Sequence, residues 1–377
     1  MPATAFVTGA TGLLGNNLVR LLVEGGAAVR ALARSRAKAE QQFADLPRGA
    51  GPGLVEVVEG DMTDVAGFAP RLAGADVLYH TAAYFRDGYK GGSHWDALYR
   101  TNVLGTEALL AAAYAAGVRR MVHTSSVAVL DGPPGRPVDE TMLRRPEDAD
   151  DYYRSKILSD RSVLAFLDGH PDLHAALVLP GWMFGPGDAG PTSAGQTVLD
   201  FARRKIPGVT PGSFSVVDAR DVARAVVEAG ARGRRGERYL AAGRHMTMAE
   251  LFPLLAEATG VPAPTRRLPL PLLYALGAGG EAYARLTGRP VLLSLATVRL
   301  LAREAGRSTY DHAKSARELG LAFRPARETL ADTVAWYRAR GELPAAPAGR
   351  GQGAAVGAGS AAGSSPRAAS TSAVLRS

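Results

Sequence analysis

In the segment DDYYRSKILSD, Tyr152 and Lys156 stand four residues apart, a spacing that puts both side chains on one face if the segment is helical. That pairing carries a specific chemistry. A free phenol titrates near 10, and an ammonium about 5 Å away contributes roughly 3 kcal/mol at an effective dielectric near 20, which predicts that Tyr152 is depressed by about two pKa units. Such a tyrosine can give or take a proton near neutral pH. Lysine is scarce in the chain (Lys38, Lys90, Lys156, Lys205 and Lys314), so an accidental Tyr–Lys pair is the weaker explanation. Upstream, VRRMVHTSSVAVL ends an apolar run in Thr124, Ser125 and Ser126, where a hydroxyl can hydrogen-bond a substrate oxygen as charge builds on it. Tyr152, Lys156 and a hydroxyl among Thr124, Ser125 and Ser126 are the candidate catalytic set.

These side chains need a strand ending near residue 126 and a helix over 151–168, and the sequence supplies both within a longer alternation. Strand-like runs at Ala3–Thr8, Ala27–Ala33, Leu54–Glu59, Ala75–His80, Arg119–Ser125 and Ala175–Leu179 alternate with helical patterns near 13–24, 64–73, 94–116 and 151–168. Alternation of this kind marks a doubly wound parallel sheet with ligands at the carboxyl ends of its strands. The first strand runs into FVTGATGLLG, which places Gly9, Gly12 and Gly15 on a strand-to-helix turn. Missing Cβ atoms there let backbone approach a pyrophosphate, and the N–H groups and dipole of the next helix favour its charge. A dinucleotide is the implied ligand, held by the backbone of Thr11, Gly12, Leu13 and Leu14.

Where the second strand ends, an acidic residue would bind a free ribose 2′-hydroxyl. Here VRALARSRAK gives Arg34, followed by Arg36 and Lys38, a cationic setting suited to a 2′-phosphate and so to NADP over NAD. Asp61 and Met62 follow the third strand, where the carboxylate can accept from the adenine amino group, and Thr81, Ala82 and Ala83 are small residues after the fourth. His80 reads as a satisfied core histidine.

After Pro180 the alternation loosens. FSVVDARDVARAVVEAG reads as a short strand and a helix that rejoin the first layer, and helices at 247–259, 268–286, 291–304 and 326–340 make a smaller substrate lobe. The expected organisation is a nucleotide-binding α/β domain over 1–180, joined by 214–240, and an interleaved C-terminal substrate lobe from 181–213 and 241–341. A tail over 342–377, free of aromatic residues, is expected to be disordered. The 377 residues contain no cysteine, which excludes disulfides and thiolate chemistry, and their seven histidines show no metal spacing, so no metal is expected. Net charge is +8, but the basic residues are scattered and no nucleic-acid motif accompanies them. The first strand begins at Ala3, leaving no room for a leader, so a cytoplasmic address is expected. The apolar runs 268–280 and 291–302 are too short and interrupted for stable membrane insertion, although peripheral contact stays open.

Taken with TGATGLLG at 8–15, GDMTD at 60–64, HTAA at 80–83, NVLGT at 102–106, TSSVAV at 124–129, YYRSK at 152–156, PGWMFGPGD at 180–188 and VVDARDVARA at 216–225, the chain resembles the extended short-chain dehydrogenase/reductase superfamily, its NAD(P)-dependent epimerase/dehydratase group. Within it the resemblance is strongest to dihydroflavonol-4-reductase-like proteins and hopanoid-associated sugar epimerases. It implies a Rossmann fold, a Ser126–Tyr152–Lys156 triad, and a Lys156 that also holds the nicotinamide ribose. It further implies that Pro180 to Met183 border the nicotinamide, that Asn102 supports the site, and that 94–116 and 151–168 form a homodimer interface. Leu179 replaces the usual arginine before the proline, and Leu130 a common tyrosine, which weakens a sugar-nucleotide substrate. Tyr84, Phe85, Trp95, Trp182 and Phe184 are expected to shape an apolar pocket. The function expected is NADPH-dependent reduction of a carbonyl on an apolar small molecule; a nucleotide-sugar epimerase or dehydratase using NAD, and a non-catalytic binding protein, are the alternatives.

Overall fold

The computed structural model describes residues 4–85, 94–287 and 294–345. The tail beyond Ala345, the middle of the 84–100 loop and the start of the 291–302 run lie outside the described residues. The strands are β1 (Thr4–Thr8), β2 (Ala28–Ala33), β3 (Val55–Glu59), β4 (Val77–His80), β5 (Arg120–Thr124), β6 (His174–Pro180), β7 (Trp182–Phe184), β8 (Ser213–Asp218), β9 (Arg238–Ala241) and β10 (Arg244–Thr247). The helices are α1 (Leu13–Glu24), α2 (Arg36–Gln42), α3 (Trp95–Leu98), α4 (Gly105–Ala115), α5 (Asp151–Gly169), α6 (Ser193–Ala202), α7 (Ala219–Arg232), α8 (Met248–Thr259), α9 (Leu270–Thr287), α10 (Leu295–Glu304), α11 (Ala313–Leu319) and α12 (Ala326–Ala339).

Seven strands form one parallel sheet in the order β3-β2-β1-β4-β5-β6-β9. This is the expected doubly wound Rossmann architecture. The period of two in β1 shows why both faces are covered: Ala5 and Val7 enter the core under α1 and α7, while Phe6 enters the core with Leu109 and Leu110 of α4 and Ile157 of α5. The sheet reverses direction of winding between β1 and β4, and the glycine turn and the serine strand end open on the same carboxyl edge.

Three differences from the sequence expectation have local causes. Residues 64–73 form two short 3₁₀ turns, Val65–Gly67 and Ala69–Leu72, not one helix: the Asp64 side chain accepts from Gly67 N, and Pro70, in the first turn of the second, has no N–H to continue a helix from the first. The 94–116 helix passes through a π-helical stretch, Tyr99–Leu104, between α3 and α4. The strand at 213–218 does not join the main sheet; β8 pairs with β7 in parallel and with β10 in antiparallel fashion as a separate three-stranded sheet, and only the following helix α7 returns to the first layer. Val216 thus packs with Phe184, Phe201, Phe252 and Tyr337 in a second core.

Candidate active site

The glycine turn shows three different uses of a missing Cβ. At Gly9, φ is +65°, and a Cβ would stand 2.7 Å from the backbone of Ala82. At Gly15 a Cβ would stand 2.8 Å from Ala10 Cα and closer still to Gly9 O, so this glycine lets α1 lie against β1. Gly12 is exposed and a Cβ there would meet nothing nearer than Gly9 O at 3.3 Å. The protein's own packing therefore demands Gly9 and Gly15 but not Gly12, whose bare side faces outward at the N-terminus of α1. No side chain caps that terminus and no acidic residue occupies its first turn, leaving amides and dipole for an anion. Leu13 and Leu14 bury their side chains in the core, so only their backbone faces the turn. Two braces that the sequence did not signal hold the turn: Gln42 Nε2 donates to Thr11 O at 3.3 Å, and Asn17 Nδ2 donates to Leu13 O and to Pro186 O. These features fit a dinucleotide pyrophosphate.

The other residues expected at a nucleotide lie along the same strand ends. Arg34 is exposed at the end of β2, and its charge helps to hold the Asp61 carboxyl low. Partial burial raises Asp61, but hydrogen bonds from Thr63 N and Oγ1 to Oδ1 and the charge of Arg34 outweigh it. Arg36 is turned to Glu40 at 3.7 Å. Met62 is buried, Ala83 exposed, and Thr81 Oγ1 is occupied by Thr8 O at 2.7 Å, so backbone is what Thr81 and Ala82 offer a ligand. His80 is a satisfied core histidine, with Nδ1 2.7 Å from Thr8 Oγ1 and Nε2 3.0 Å from Thr106 Oγ1. Burial, with the nearby His123 and Lys156, holds its pKa well below the ordinary value.

Two of the candidate catalytic side chains, Ser126 and Tyr152, meet, and Lys156 lies one turn further along α5. Ser126 caps a 3₁₀ turn, its Oγ accepting from Ala128 N at 3.2 Å, and it shares a side-chain hydrogen bond with Tyr152. The first turn of α5, capped by Asp150 through Tyr153 N, presents Tyr152. Phe85 packs edge-on against the Tyr152 ring at 4.7 Å. Lys156 is 2% exposed and donates from Nζ to Thr124 O at 2.7 Å.

The electrostatics differ from the sequence expectation. Protein packed around Tyr152 desolvates the phenolate, and Asp150 adds repulsion, so the phenol lies above its ordinary pKa although the Ser126 hydrogen bond lowers it. It is Lys156 that shifts down, to about 8, because burial disfavours its charge and only Asp160 opposes that. The simple ion–phenol argument failed because it omitted desolvation and because Lys156, turned to Thr124 O, is not among the groups that shift Tyr152.

Asp160, one helical turn beyond Lys156, was not signalled by the sequence. It is 1% exposed, accepts from Arg238 Nε at 3.3 Å and lies 3.4 Å from His123 Nε2. Burial raises its pKa, but His123, Arg238 and Lys156 bring it below the ordinary range, while burial keeps His123 low and hence neutral. Thr124 Oγ1 and Ser125 Oγ are buried with no partner, which leaves two polar atoms for a ligand at the β5 end. Asn102, on the π-helical stretch, accepts from Tyr84 N at 2.7 Å and donates to Tyr84 O and to Ser155 Oγ, tying the β4 loop to α5.

Of the expected pocket residues, Trp182 is half-buried, with Nε1 donating to Ser193 Oγ and its ring against Phe184 and Phe214. Phe184 is not a wall of the pocket: at 1% exposure it belongs to the second core, because β7 turns it inward. Pro180 is buried at the end of β6, and Met183 packs on the core under α1 and α7.

The sequence profile of the NAD dependent epimerase/dehydratase family matches residues 5–242. The chain is 37% identical to "Sterol demethylase protein B" of Methylococcus capsulatus, over 90% of this chain and 100% of that protein. It is 33% identical to a "Putative dihydroflavonol 4-reductase" of Synechocystis, over 89% of this chain and 95% of the other. The crystal structure of gox2253 superposes with a TM-score of 0.75 at 31% identity, covering 91% of this chain and all of that one. With its parallel sheet, glycine turn and Ser–Tyr–Lys cluster, this chain belongs to the NAD-dependent epimerase/dehydratase family of extended short-chain dehydrogenases/reductases.

Proposed function

We propose that the protein is an NADPH-dependent reductase of a ketone or aldehyde on an apolar small molecule. The observation that carries the reading is the Ser126–Tyr152 hydrogen bond, with buried Lys156 one helical turn along α5 donating to Thr124 O, on the same sheet edge as the glycine turn. Gly12, Leu13 and Leu14 would hold the pyrophosphate by backbone, Arg34 the 2′-phosphate, Asp61 the adenine, and Lys156 the nicotinamide ribose. When bound, the dinucleotide would supply hydride to the carbonyl carbon. Tyr152 donates its phenolic proton to the carbonyl oxygen, and Ser126 donates a hydrogen bond to that oxygen as charge grows on it. A raised phenol pKa suits this direction, since Tyr152 is fully protonated at neutral pH and delivers a proton. Lys156 is cationic below about 8 and would add positive charge on the Tyr152 side of α5 for the phenolate left behind. Phe85, packed on Tyr152, supplies aromatic surface at the site, and the names of two relatives, "Sterol demethylase protein B" and "Putative dihydroflavonol 4-reductase", agree with an apolar substrate.

The test is turnover by the full chain with NADPH or NADH on a panel of ketones, aldehydes, flavonoids, sterols and nucleotide sugars. Net NADPH oxidation with alcohol formed supports the reading; sugar epimerisation without net cofactor change would replace it. Tyr152→Phe should cut kcat by about 10²–10⁴-fold. Arg34→Ala should weaken NADPH about 10-fold or more and leave NADH nearly unchanged.

A further inference from the structure

Among the described residues, seven large apolar side chains are exposed, and four of them, Tyr274, Leu276, Tyr283 and Leu286, belong to α9. Leu276, Tyr283 and Leu286 follow at i, i+7 and i+10, one side of a helix, with Leu286 87% exposed. An adjoining side is anchored by little: Leu273 packs with Leu268 and Val298, with Leu270 and Leu272 partly buried against them, and Gly277 lets α10 approach closely, its Cβ position being 3.2 Å from Val298 Cγ2. Apart from Glu281 and Arg285 the helix carries no charge.

Charge surrounds this face. Residues 266–303 contain six arginines and one acid, so this short segment carries five of the chain's eight excess positive charges. Arg266 and Arg267 precede α9, and Arg299 and Arg303 lie on α10; all four are exposed, and among the described residues none stands within ion-pair distance of a carboxylate. Elsewhere arginines are commonly paired, as Arg220 with Asp218, Arg234 with Glu318, Arg324 with Asp221 and Arg327 with Glu257. Apolar side chains facing outward beside unpaired cations suit a surface that offers hydrocarbon next to anions. No described helix is long and apolar enough to cross a membrane, so the fit is to a surface, not a span.

We propose that the outward face of α9, flanked by Arg266, Arg267, Arg299 and Arg303, docks this protein on anionic phospholipid bilayers. Leu276, Tyr283 and Leu286 enter the headgroup–acyl boundary and the arginines meet lipid phosphates. This docking does not depend on the proposed reaction.

The full chain is to be floated with vesicles of phosphatidylcholine alone and of phosphatidylcholine mixed with phosphatidylglycerol, at low and high salt. Expected is flotation with the mixed vesicles, weaker with phosphatidylcholine and weakened by salt. Leu276→Glu with Leu286→Glu should lower the affinity about tenfold or more, and Arg266→Gln with Arg267→Gln should lower it severalfold for the anionic vesicles only. Both pairs change exposed positions, and the thermal midpoint and NADPH binding of each confirm its fold. The proposal is overturned if the wild type stays unbound with anionic vesicles, or if both pairs float as it does. It is also overturned if the Glu pair dissolves a homodimer, read by light scattering, while no species binds vesicles; α9 then covers a second copy of itself.

Discussion

Lys156 and Asp160 show how a buried carboxylate can hold the charge of a buried cation with which it forms no ion pair. With burial taking Lys156 down to about 8, its ammonium is present below that pH and lost above it, and Asp160 is the group that keeps the value from falling further. Removing the carboxylate removes attraction for the charged form only, so the titration moves to lower pH. Asp160→Asn should shift the alkaline limb of kcat/KM, which reports the free enzyme, downward by about one unit or more. An unmoved limb in a folded Asp160→Asn variant would mean that Lys156 does not set it. Tyr152 and Lys156 were legible because their spacing is local. Asp160 escaped notice because its partners His123 and Arg238 come from β5 and β9, and nothing at short range marks them.

At the scale of elements, the main sheet was readable because each buried parallel strand is an apolar run closed by small or turn-forming residues; β1 to β6 lie within about two residues of their sequence ranges. Strands β7, β9 and β10 are three or four residues long and carry too little pattern to be read. The π-helical stretch depends on tertiary contact: a Cβ on Gly105 would stand 2.7 Å from Met62 O, and Asn102 must reach both Tyr84 and Ser155. The glycine turn yields a prediction at this scale. Gly15→Ala forces the start of α1 off β1 and should cost several kcal/mol, read as a fall in thermal midpoint. Gly12→Ala should change stability by no more than about 1 kcal/mol, since its φ of −75° suits alanine, but should weaken NADPH binding at least tenfold by titration.

Across the whole molecule, Arg144 joins the serine turn to the C-terminal lobe. Its Nε donates to Ala128 O and Leu130 O at 3.1 Å, its Nη2 to Glu304 Oε1 at 3.3 Å, and its guanidinium lies over the Tyr153 ring. Arg144 and Glu304 are 4% and 7% exposed, and burial raises the Glu304 pKa against the pull of Arg144. Deleting one partner strands the other's charge: Arg144→Gln should cost about 3–5 kcal/mol in chemical denaturation, and Arg144→Gln with Glu304→Gln should recover part of it. The sequence gives no sign of a pair separated by 160 positions.

The outermost pairing of the main sheet bears on how the chain comes into being. Strand β6, HAALVLP, lies between β5 and β9, yet β9 ends 61 residues after it, with β7, α6, β8 and α7 between them. At ~5–20 residues per second of synthesis, β6 is an uncovered apolar edge for about 3 to 12 s before Ala241 has left the ribosome. During that interval the nascent chain offers unpaired backbone to its neighbours, the usual start of edge-to-edge aggregation. In the finished sheet β9 covers the β6 edge and itself becomes the terminal strand, so the exposure of β6 belongs to birth alone and its hazard rises with the rate at which copies are made.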